Sequence, residues 1–249
     1  MKRVLCILLL LSMTVLSCKK DDTGSNPTNP QSGIPTNGLI LSYTFENSIM
    51  DNSPLSNHGI DLGSLQYDAG KVGKSGKFSG STYIKPSSNL QIESCSFTIS
   101  AWVKTSNQTS EQSIINRGCV EQLGGLYGYA IAFNYTNSSI AFWVGKGSNI
   151  SDGTLITTTS IWDNQWHHIA CVYSKENLKM QMFIDGVLKT EKNTNAGNIV
   201  YLPTRDSGTT IGRRVSGDIS FSQLNGNMDQ LRVYNRALTT SEIQKLYTE

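Results

Sequence analysis

Short apolar runs separated by turn residues recur between residues 39 and 234, and they restrict this chain to a fold built mainly from strands. Residues 39–45, 97–103 and 179–184 are clear examples. In the first of them a large apolar residue occupies every second position, which predicts a strand with one buried face. Only 16% of the residues are charged and 22 are glycine, so the chain lacks the charged faces of exposed helices. A coiled coil, a helical bundle and a helical solenoid are therefore excluded.

Two local motifs predict a hairpin and a helix. The dipeptide Asp185-Gly186 separates two strand-like runs and favours a two-residue hairpin turn. Near the end of the sequence, Thr239 and Glu242 have the spacing of a capping box, and Leu238 and Ile243 have the spacing of a hydrophobic staple. These motifs predict one short C-terminal helix that packs against the strands.

The N-terminal residues indicate export and attachment to a membrane. A basic start at Lys2-Arg3 precedes the apolar run 4–16, which is shorter than the about 20 residues needed to span a bilayer but suits a signal peptide. The run ends at Ser17-Cys18, which resembles the lipobox of bacterial lipoproteins. The resemblance implies that residues 1–17 are removed and that Cys18 is lipidated. An ordinary secretory signal followed by an unrelated cysteine is the alternative.

Residues 18–37 are rich in Ser, Pro, Asn and Gly and predict a flexible tether. Their start, Cys18-Lys19-Lys20-Asp21-Asp22, resembles that of Bacteroidetes lipoproteins, which implies an outer-membrane lipoprotein displayed at the cell surface. Once Lys2 and Arg3 are removed, the 21 basic residues fall to the number of acidic ones, 19. Because a neutral chain has no electrostatic footprint for nucleic acid, we expect no nucleic-acid partner.

Three cysteines remain outside the signal and the lipidation site, so at least one of them is not paired with another. Cys171 lies in an apolar run, which predicts a small core side chain. A disulfide between Cys95 and Cys119 is possible in an oxidising compartment. The sequence alone does not decide whether that bond forms.

Five ordered blocks between residues 76 and 238 resemble the LamG-like jelly-roll domain of the concanavalin A-like lectin/glucanase superfamily. The blocks are 76–84 (GKFSGSTYI), 97–104 (FTISAWVK), 166–170 (WHHIA), 183–186 (FIDG) and 226–238 (GNMDQLRVYNRAL). The resemblance implies an all-β fold, a two-sheet antiparallel jelly-roll β-sandwich, that occupies residues 38–249 as a single domain.

That superfamily includes glucanases of the laminarinase type, in which alternate strand positions carry paired carboxylates as Glu-x-Asp-x-x-Glu. Retaining glycosidases need two carboxylates about 5–5.5 Å apart, and alternate positions of a strand face the same cleft. The chain contains no such run, and Glu111 and Glu121 stand alone in loop-like segments. We therefore expect a non-catalytic module, with a glycoside hydrolase as the less favoured alternative.

A zinc site is not expected, because adjacent His167 and His168 on a strand point to opposite faces. The resemblance does imply a structural calcium ion, since calcium accepts oxygen ligands from loops. Its ligands in this chain would be the side chains of Glu46 and Asp229 with a carbonyl of the Ser79-Gly80 turn. The alternative is that Asp51 and Asn52 form a turn and that Asp229 only caps backbone groups.

A sugar site would need an aromatic ring with polar neighbours, because sugar C–H faces pack on rings. Tyr127, Trp143 and Trp162 are the candidates, whereas Trp102 and Trp166 belong to the family blocks and suit the core. The alternative for each candidate is an aromatic ring that fixes a loop. We expect a carbohydrate-binding module at the cell surface. The main alternative is an adhesion module that binds a surface protein.

Overall fold

The computed structural model describes residues 33–106, 111–120, 125–134, 139–149, 152–195, 197–216 and 219–249. Within these ranges the strands form two stacked antiparallel sheets, and one short helix follows them. The predicted fold class, an all-β two-sheet antiparallel sandwich with a short C-terminal helix, is therefore confirmed.

The elements have these bounds in chain order: β1 (Leu39–Tyr43), β2 (Gly59–Leu62), β3 (Gln66–Ala69), β4 (Lys74–Ser79), β5 (Tyr83–Pro86), β6 (Phe97–Lys104), β7 (Gln112–Val120), β8 (Gly125–Asn134), β9 (Ser139–Asn149), β10 (Thr154–Thr157), β11 (His167–Ser174), β12 (Lys179–Ile184), β13 (Val187–Asn193), β14 (Thr210–Ile211), β15 (Arg213–Ser216), β16 (Ile219–Gln223), β17 (Asn225–Tyr234) and α1 (Thr240–Tyr247).

The strands divide between two large sheets and one small ribbon. Sheet A has the order β13-β12-β11-β6-β17-β4-β3, with β1 also paired to β17, and sheet B has the order β10-β9-β8-β7-β14-β5-β2. The ribbon consists of β15 and β16 and lies against β7. The sequence patterns do not predict β2 to β5, β7, β10 or the ribbon, because most of these strands are short and mix polar with apolar residues without a clear alternation.

The core lies between the two sheets and is built from alternate residues of their strands. Phe97 of sheet A packs against Tyr129 and Phe142 of sheet B, with ring centroids 5.9 Å apart in both pairs. All three rings are almost completely buried. Phe45 also joins this core, but its φ of 59° places it beyond the end of β1, so the first predicted strand is two residues too long.

The predicted hairpin and helix are both present. Asp185 and Gly186 have φ values of 51° and 72°, and two positive φ values are typical of the type I′ turn that matches strand twist. Thr239 and Glu242 form the capping box at the start of α1. The staple residues Leu238 and Ile243 are buried in a second apolar cluster, which lies between α1 and the outer face of sheet A.

The first described residues lie on the same side of the molecule as α1. Ile34 and Leu39 pack against the cluster under the helix. The hydroxyl of Tyr234 donates a hydrogen bond of 3.1 Å to the carbonyl oxygen of Pro35. Among the described residues, no helix is long and apolar enough to cross a membrane.

Candidate functional site

Trp143 lies on the outer face of sheet B, the face directed away from the core. It stands in a cross-strand row in which Asn116 of β7 pairs with Ala130 of β8, Ala130 pairs with Trp143 of β9, and Trp143 pairs with Thr154 of β10. Directly opposed residues of an antiparallel pair share one face. We call the outer face around this row the Trp143 surface.

The neighbouring residue, Phe142, shows which face is inside. Phe142 is fully buried in the core cluster, whereas Trp143 is only partly buried and is absent from that cluster. The prediction that one residue of this pair faces away from the core is confirmed, and the residue is Trp143. Small side chains lie beside it, because Ala132 pairs with Ala141 on the same face. Both alanines are buried.

Arg214 of the ribbon reaches across this surface to Trp143. Its guanidinium carbon lies 4.6 Å from the centroid of a Trp143 ring, within the range of a cation–π contact. Its Nη1 lies 3.7 Å from Oε2 of Glu111, so that this carboxylate is already beside a cation. The guanidinium covers one side of the indole and fixes its orientation.

No sequence pattern indicates this contact, since Arg214 follows Trp143 by many residues and belongs to a strand of mixed polarity. The available sequence signal was the position of Arg214, a charged residue that closely follows the strand ending at Ile211. It could not be used without knowing that β14 lies beside β7 in sheet B.

Tyr127 is half-buried and lies farther along β8, where it pairs with Lys146. Its ring packs close to the backbone of Gly125 and Gly147, and a side chain at Gly125 would contact it. The structure thus places Tyr127 next to two glycines of the sheet and not in the row that holds Trp143. Its role in binding stays a prediction.

Trp162 is not at a rim. It is 5% exposed, it belongs to the main core cluster, and its ring meets Phe133 edge-on at 6.0 Å between centroids. The expectation that Trp162 contacts a ligand is corrected by this burial, and the alternative of an aromatic that fixes its loop applies. The sequence offered no periodicity around residue 162 from which its orientation could be deduced.

Glu46 and Asp229 do come together, at the turn between β3 and β4. Asp229 accepts hydrogen bonds from the backbone N–H groups of Val72, at 3.0 Å, and Gln230, at 2.8 Å. Both carboxylate oxygens of Glu46 accept hydrogen bonds from the backbone N–H of Lys74, at 3.1 and 3.2 Å. Burial raises the pKa of Asp229 to about 6, and the nearby charge of Glu46 adds to this effect although the backbone donors oppose it.

Gly80 does not join them. It follows the end of β4, whereas Lys74, which contacts Glu46, begins the same strand. Six residues of strand separate the two positions by about 20 Å. The three residues assigned to one calcium ion therefore do not converge, and the carbonyl assignment at Gly80 is corrected. A pair of carboxylates remains, and among the described residues no cluster of three or more His, Cys, Asp or Glu side chains could hold a metal.

Asp51 forms a turn, as the alternative interpretation expected. Its Oδ1 accepts from the N–H groups of Ser42 and Ser53, and its Oδ2 accepts from Ser53 Oγ and the N–H of Asn57, all between 2.7 and 2.8 Å. The side chain of Asn52 donates to Thr44 Oγ1 at 3.1 Å. These contacts hold the segment between β1 and β2 and give Asp51 a structural role.

Cys171 has the predicted core surroundings, whereas the predicted disulfide between Cys95 and Cys119 is not tested. Cys171 is completely buried in the core, and burial raises the pKa of its thiol well above the ordinary value. The sulfur of Cys95 lies 3.9 Å from the carbonyl oxygen of Gln91. The side chain of Cys119 lies outside the described residues, so the bond between Cys95 and Cys119 stays a prediction.

The outer face of sheet A is closed by α1. Tyr247 stacks on Trp102 with ring centroids 5.6 Å apart, and the Nζ of Lys71 lies 4.2 Å from the Trp102 ring. His168 is buried beside them, where its Nε2 meets Ser100 Oγ at 2.8 Å, and burial lowers its pKa to about 3. Because aromatic residues here are covered by the chain itself, we place the candidate site on sheet B.

Comparison with known families assigns the chain to a superfamily. The family Laminin_G_3, described as the concanavalin A-like lectin/glucanases superfamily, matches residues 78–244, which is more than half of the chain. The chain therefore belongs to this superfamily. A search of curated proteins found no match to the sequence.

Solved structures of binding domains share the fold. Domain 4 of AbnA, a GH43 extracellular arabinanase from Geobacillus stearothermophilus solved in complex with arabinotriose, matches with a TM-score of 0.64 and 21% identity over 86% of this chain and 100% of that one. The binding domain of Paraclostridial Mosquitocidal Protein 1 matches with a TM-score of 0.64 and 20% identity, over 84% of this chain and 52% of that one.

The binding domain of botulinum neurotoxin DC in complex with SialylT matches with a TM-score of 0.61 and 19% identity, over 86% of this chain and 52% of that one. This chain thus spans about half the length of the two toxin binding domains. At these identities the likeness establishes the fold, and the site must be argued from this chain's own residues.

Proposed function

We propose that this protein is a non-catalytic glycan-binding module and that the Trp143 surface is its binding face. The observation that carries the proposal is the orientation of Trp143, a large ring that the core does not use and that Arg214 fixes from one side. Trp143 is only partly buried, so the side of the indole away from the guanidinium would accept the C–H face of a sugar ring.

Two further observations support the proposal. The similar arabinanase domain was solved with arabinotriose, and one similar toxin domain was solved with SialylT. The paired carboxylates of laminarinase-type enzymes are missing from the sequence, and Glu111 at the Trp143 surface is beside Arg214. An arrangement that holds a sugar without two opposed carboxylates favours binding over hydrolysis.

The experiment is a glycan screen followed by titration with arabinotriose and with any glycan that the screen returns. We expect Trp143→Ala to lower the affinity at least tenfold, because the stacking contact is lost. Trp166→Ala is the matched control, since Trp166 is another half-buried tryptophan but precedes β11 of sheet A. Equal binding by both variants, or no glycan binding by the parent protein, would refute the proposal.

A protein partner is the second candidate function, and three exposed apolar side chains favour it. Met50, Leu55 and Ile60 are 61%, 54% and 51% exposed in the segment that leads into β2. Exposed large apolar side chains are typical of protein contacts where they form one contiguous patch. Substituting all three with Ser and measuring adhesion to cells tests this function, because the Trp143 surface is left intact.

We also propose that Cys18 carries lipid and displays the domain at the outer surface of the outer membrane. The support is the Ser17-Cys18 motif and the acidic residues that follow it. Residues 1–32 lie outside the described part of the chain. Metabolic labelling with a fatty acid should mark the parent protein but not Cys18→Ala, and protease added to intact cells should remove the domain.

Calcium remains a proposal supported by Glu46 and Asp229. Each carboxylate oxygen has more than one acceptor site, so the hydrogen bonds from the β3–β4 turn leave capacity for a cation. The remaining ligands would be backbone carbonyls or water, as is usual for calcium. A bound ion would neutralise the two neighbouring carboxylates and hold β1 and β17 to that turn, which is a structural role.

A further inference from the structure

The end of α1 covers a group of polar and aromatic residues on the outer face of sheet A. Trp102 of β6 pairs with His168 of β11. Two residues away on β6, Ser100 pairs with Arg232 of β17. Ser100 also pairs with Ala170, which belongs to the apolar cluster under the helix, so all these side chains share the covered face. We call Ser100, Trp102, His168 and Arg232 the Trp102 site.

Two side chains from the end of the helix occupy the Trp102 site. The ring of Tyr247 lies nearly parallel to that of Trp102, with an angle of 23° between their planes. Arg232 donates two hydrogen bonds to the carboxylate of Glu249, from Nη1 at 2.5 Å and from Nη2 at 2.8 Å. The chain itself thus supplies one ring for the indole and one carboxylate for the guanidinium. We call residues 247–249 the closing turn.

The closing turn leaves two buried nitrogen atoms of the Trp102 site without hydrogen bonds. Trp102 is 2% exposed and His168 is 1% exposed, and neither Trp102 Nε1 nor His168 Nδ1 has a partner among the described residues. A buried polar atom without a partner costs free energy, and a tyrosine ring stacked on the indole does not remove that cost. A hydroxyl group would remove it, because a hydroxyl both donates and accepts. The unpaired atoms therefore favour a ligand that carries hydroxyl groups.

The charges around the Trp102 site favour an acidic ligand. Arg232 is buried, and within the described part of the chain Glu249 is its only carboxylate partner. The Nζ of Lys71 lies 4.2 Å from the indole ring and forms no ion pair with a described residue. Asp185 and Asp229 flank the site, but their carboxylates already accept hydrogen bonds from backbone N–H groups. A ligand that displaced the closing turn would therefore need a carboxylate of its own for the guanidinium.

The closing turn can move without unfolding the domain. Ile243 and Leu246 anchor α1 and are completely buried, whereas Tyr247 and Glu249 are only partly buried. The ends of helices fray, and such local opening costs much less free energy than unfolding of the core. Movement of residues 247–249 would open the Trp102 site while the apolar cluster under the helix stays closed.

We infer that the Trp102 site is a second binding site, which takes an acidic oligosaccharide in place of the closing turn. One sugar ring stacks on Trp102 where Tyr247 lies, and a carboxylate of that unit or of the next one replaces Glu249 on Arg232. Because alternate residues of a strand are about 7 Å apart, one ligand can reach both positions. The Trp102 site belongs to sheet A and the Trp143 surface to sheet B, so this inference does not depend on the proposed function.

The test compares the parent protein with an open variant, which carries Tyr247→Ala and Glu249→Ala, by calorimetric titration with oligogalacturonate. Because the closing turn competes with the ligand, the affinity of the parent protein is reduced to the fraction of molecules that are open. We expect the open variant to bind at least about tenfold more tightly than the parent protein, and Arg232→Gln in the open variant to remove this gain. Glu191→Ala is the matched control, since it removes an exposed carboxylate on β13 and changes the net charge as Glu249→Ala does.

A second ligand and a milder variant complete the test. Methyl-esterified oligogalacturonate lacks the charge and should bind the open variant at least about tenfold more weakly than the acid. Equal binding of the two ligands, or an equal gain in Glu191→Ala, would overturn the inference. If a melting curve shows that the open variant does not fold, Glu249→Gln replaces it, because this variant keeps the stacked ring and should still bind the acid more tightly than the parent protein. No gain in a folded variant of either kind would also overturn the inference.

Failure of the two proposed sites can be told apart. Trp143→Ala in the open variant should leave the binding of oligogalacturonate unchanged. If it abolishes that binding, the acid binds at the Trp143 surface, so this inference fails and the proposed function stands. If the open variant binds the acid while no glycan binds the Trp143 surface, the proposed function fails and this inference stands.

Discussion

Arg117 and Asp206 form a two-bond ion pair, with Nε donating to Oδ1 at 3.1 Å and Nη2 donating to Oδ2 at 2.8 Å. A third bond of 3.0 Å joins Nη1 to Glu93, and the guanidinium lies 3.7 Å from the ring centroid of Tyr201. Arg117 belongs to β7, so one buried arginine holds two separate loops against the end of sheet B.

Removing this arginine should destabilise the fold strongly. Arg117→Ala leaves two partly buried carboxylates without their cation, and we expect a loss of about 3 kcal/mol of unfolding free energy, at the low end for buried pairs because both acids keep some solvent contact. Lys77→Ala breaks the exposed pair with Asp68 and should change little. Urea denaturation measures both, and equal losses would contradict the structural role of Arg117.

Substitution of the two candidate tryptophans should lower the free energy of unfolding by different amounts. Trp162→Ala empties a position in the core and should cost about 3–5 kcal/mol of unfolding free energy. Trp143→Ala should cost far less, because its ring lies outside the core and loses mainly the contact with Arg214. Chemical denaturation of each variant checks this. A larger loss for Trp143→Ala would mean that its ring supports the sheet and would weaken the proposed site.

The pKa values of the adjacent histidines should be shifted in opposite directions from the ordinary value. Burial alone would lower the pKa of His167, but its bonds to Asp185, at 2.8 Å, and Asp163, at 3.1 Å, outweigh burial and raise it. Burial lowers the pKa of His168 to about 3. NMR titration of the imidazole protons should find His167 above the ordinary value of 6.5, with His168 uncharged until far lower pH.

The consequences for stability follow from these shifts. The contribution of His167 is fully present below about pH 6.5 and is lost as the pH rises through its raised folded value. His168 acts oppositely, since the unfolded chain takes up its proton below pH 6.5 and the folded chain does not until about pH 3, so stability falls over that window on acidification. Asp163→Asn is the control and should lower only the pKa of His167. A parental value in that variant would contradict the assignment.

Calcium should raise the melting temperature if Glu46 and Asp229 hold it. A ligand that binds only the folded chain adds about 2.7 kcal/mol at a hundredfold excess over its Kd, which corresponds to about 5–11 °C for a domain of this size. Asp229→Asn should abolish the response, and magnesium should give a smaller one. Identical melting of the parent protein in calcium and in chelator would refute the site.

Local patterns were sufficient for much of the fold. The alternation along a strand assigned Phe142 and Trp143 to opposite faces, and the Asp185-Gly186 turn and the Thr239 cap are determined by residues within a few positions of each other. Such features depend on backbone geometry and nearest neighbours, which a single sequence displays.

The composition of the candidate site could not be predicted in the same way. The contact of Arg214 with Trp143 requires β14 to lie beside β7 in sheet B. Trp162 lies in a segment without strand periodicity, so only tertiary packing determines its burial. Sheet order brings these residues together, and sheet order is a property of the whole chain.

The position of Ile34 and Pro35 beside α1 determines which side of the domain would be nearest to the proposed anchor. If the proposed lipid at Cys18 anchors the chain, the domain would be attached on the side that carries α1, which is opposite the face that carries Trp143. A long glycan could then bind across the exposed face without passing between the domain and the membrane. Many copies side by side would form a continuous binding surface.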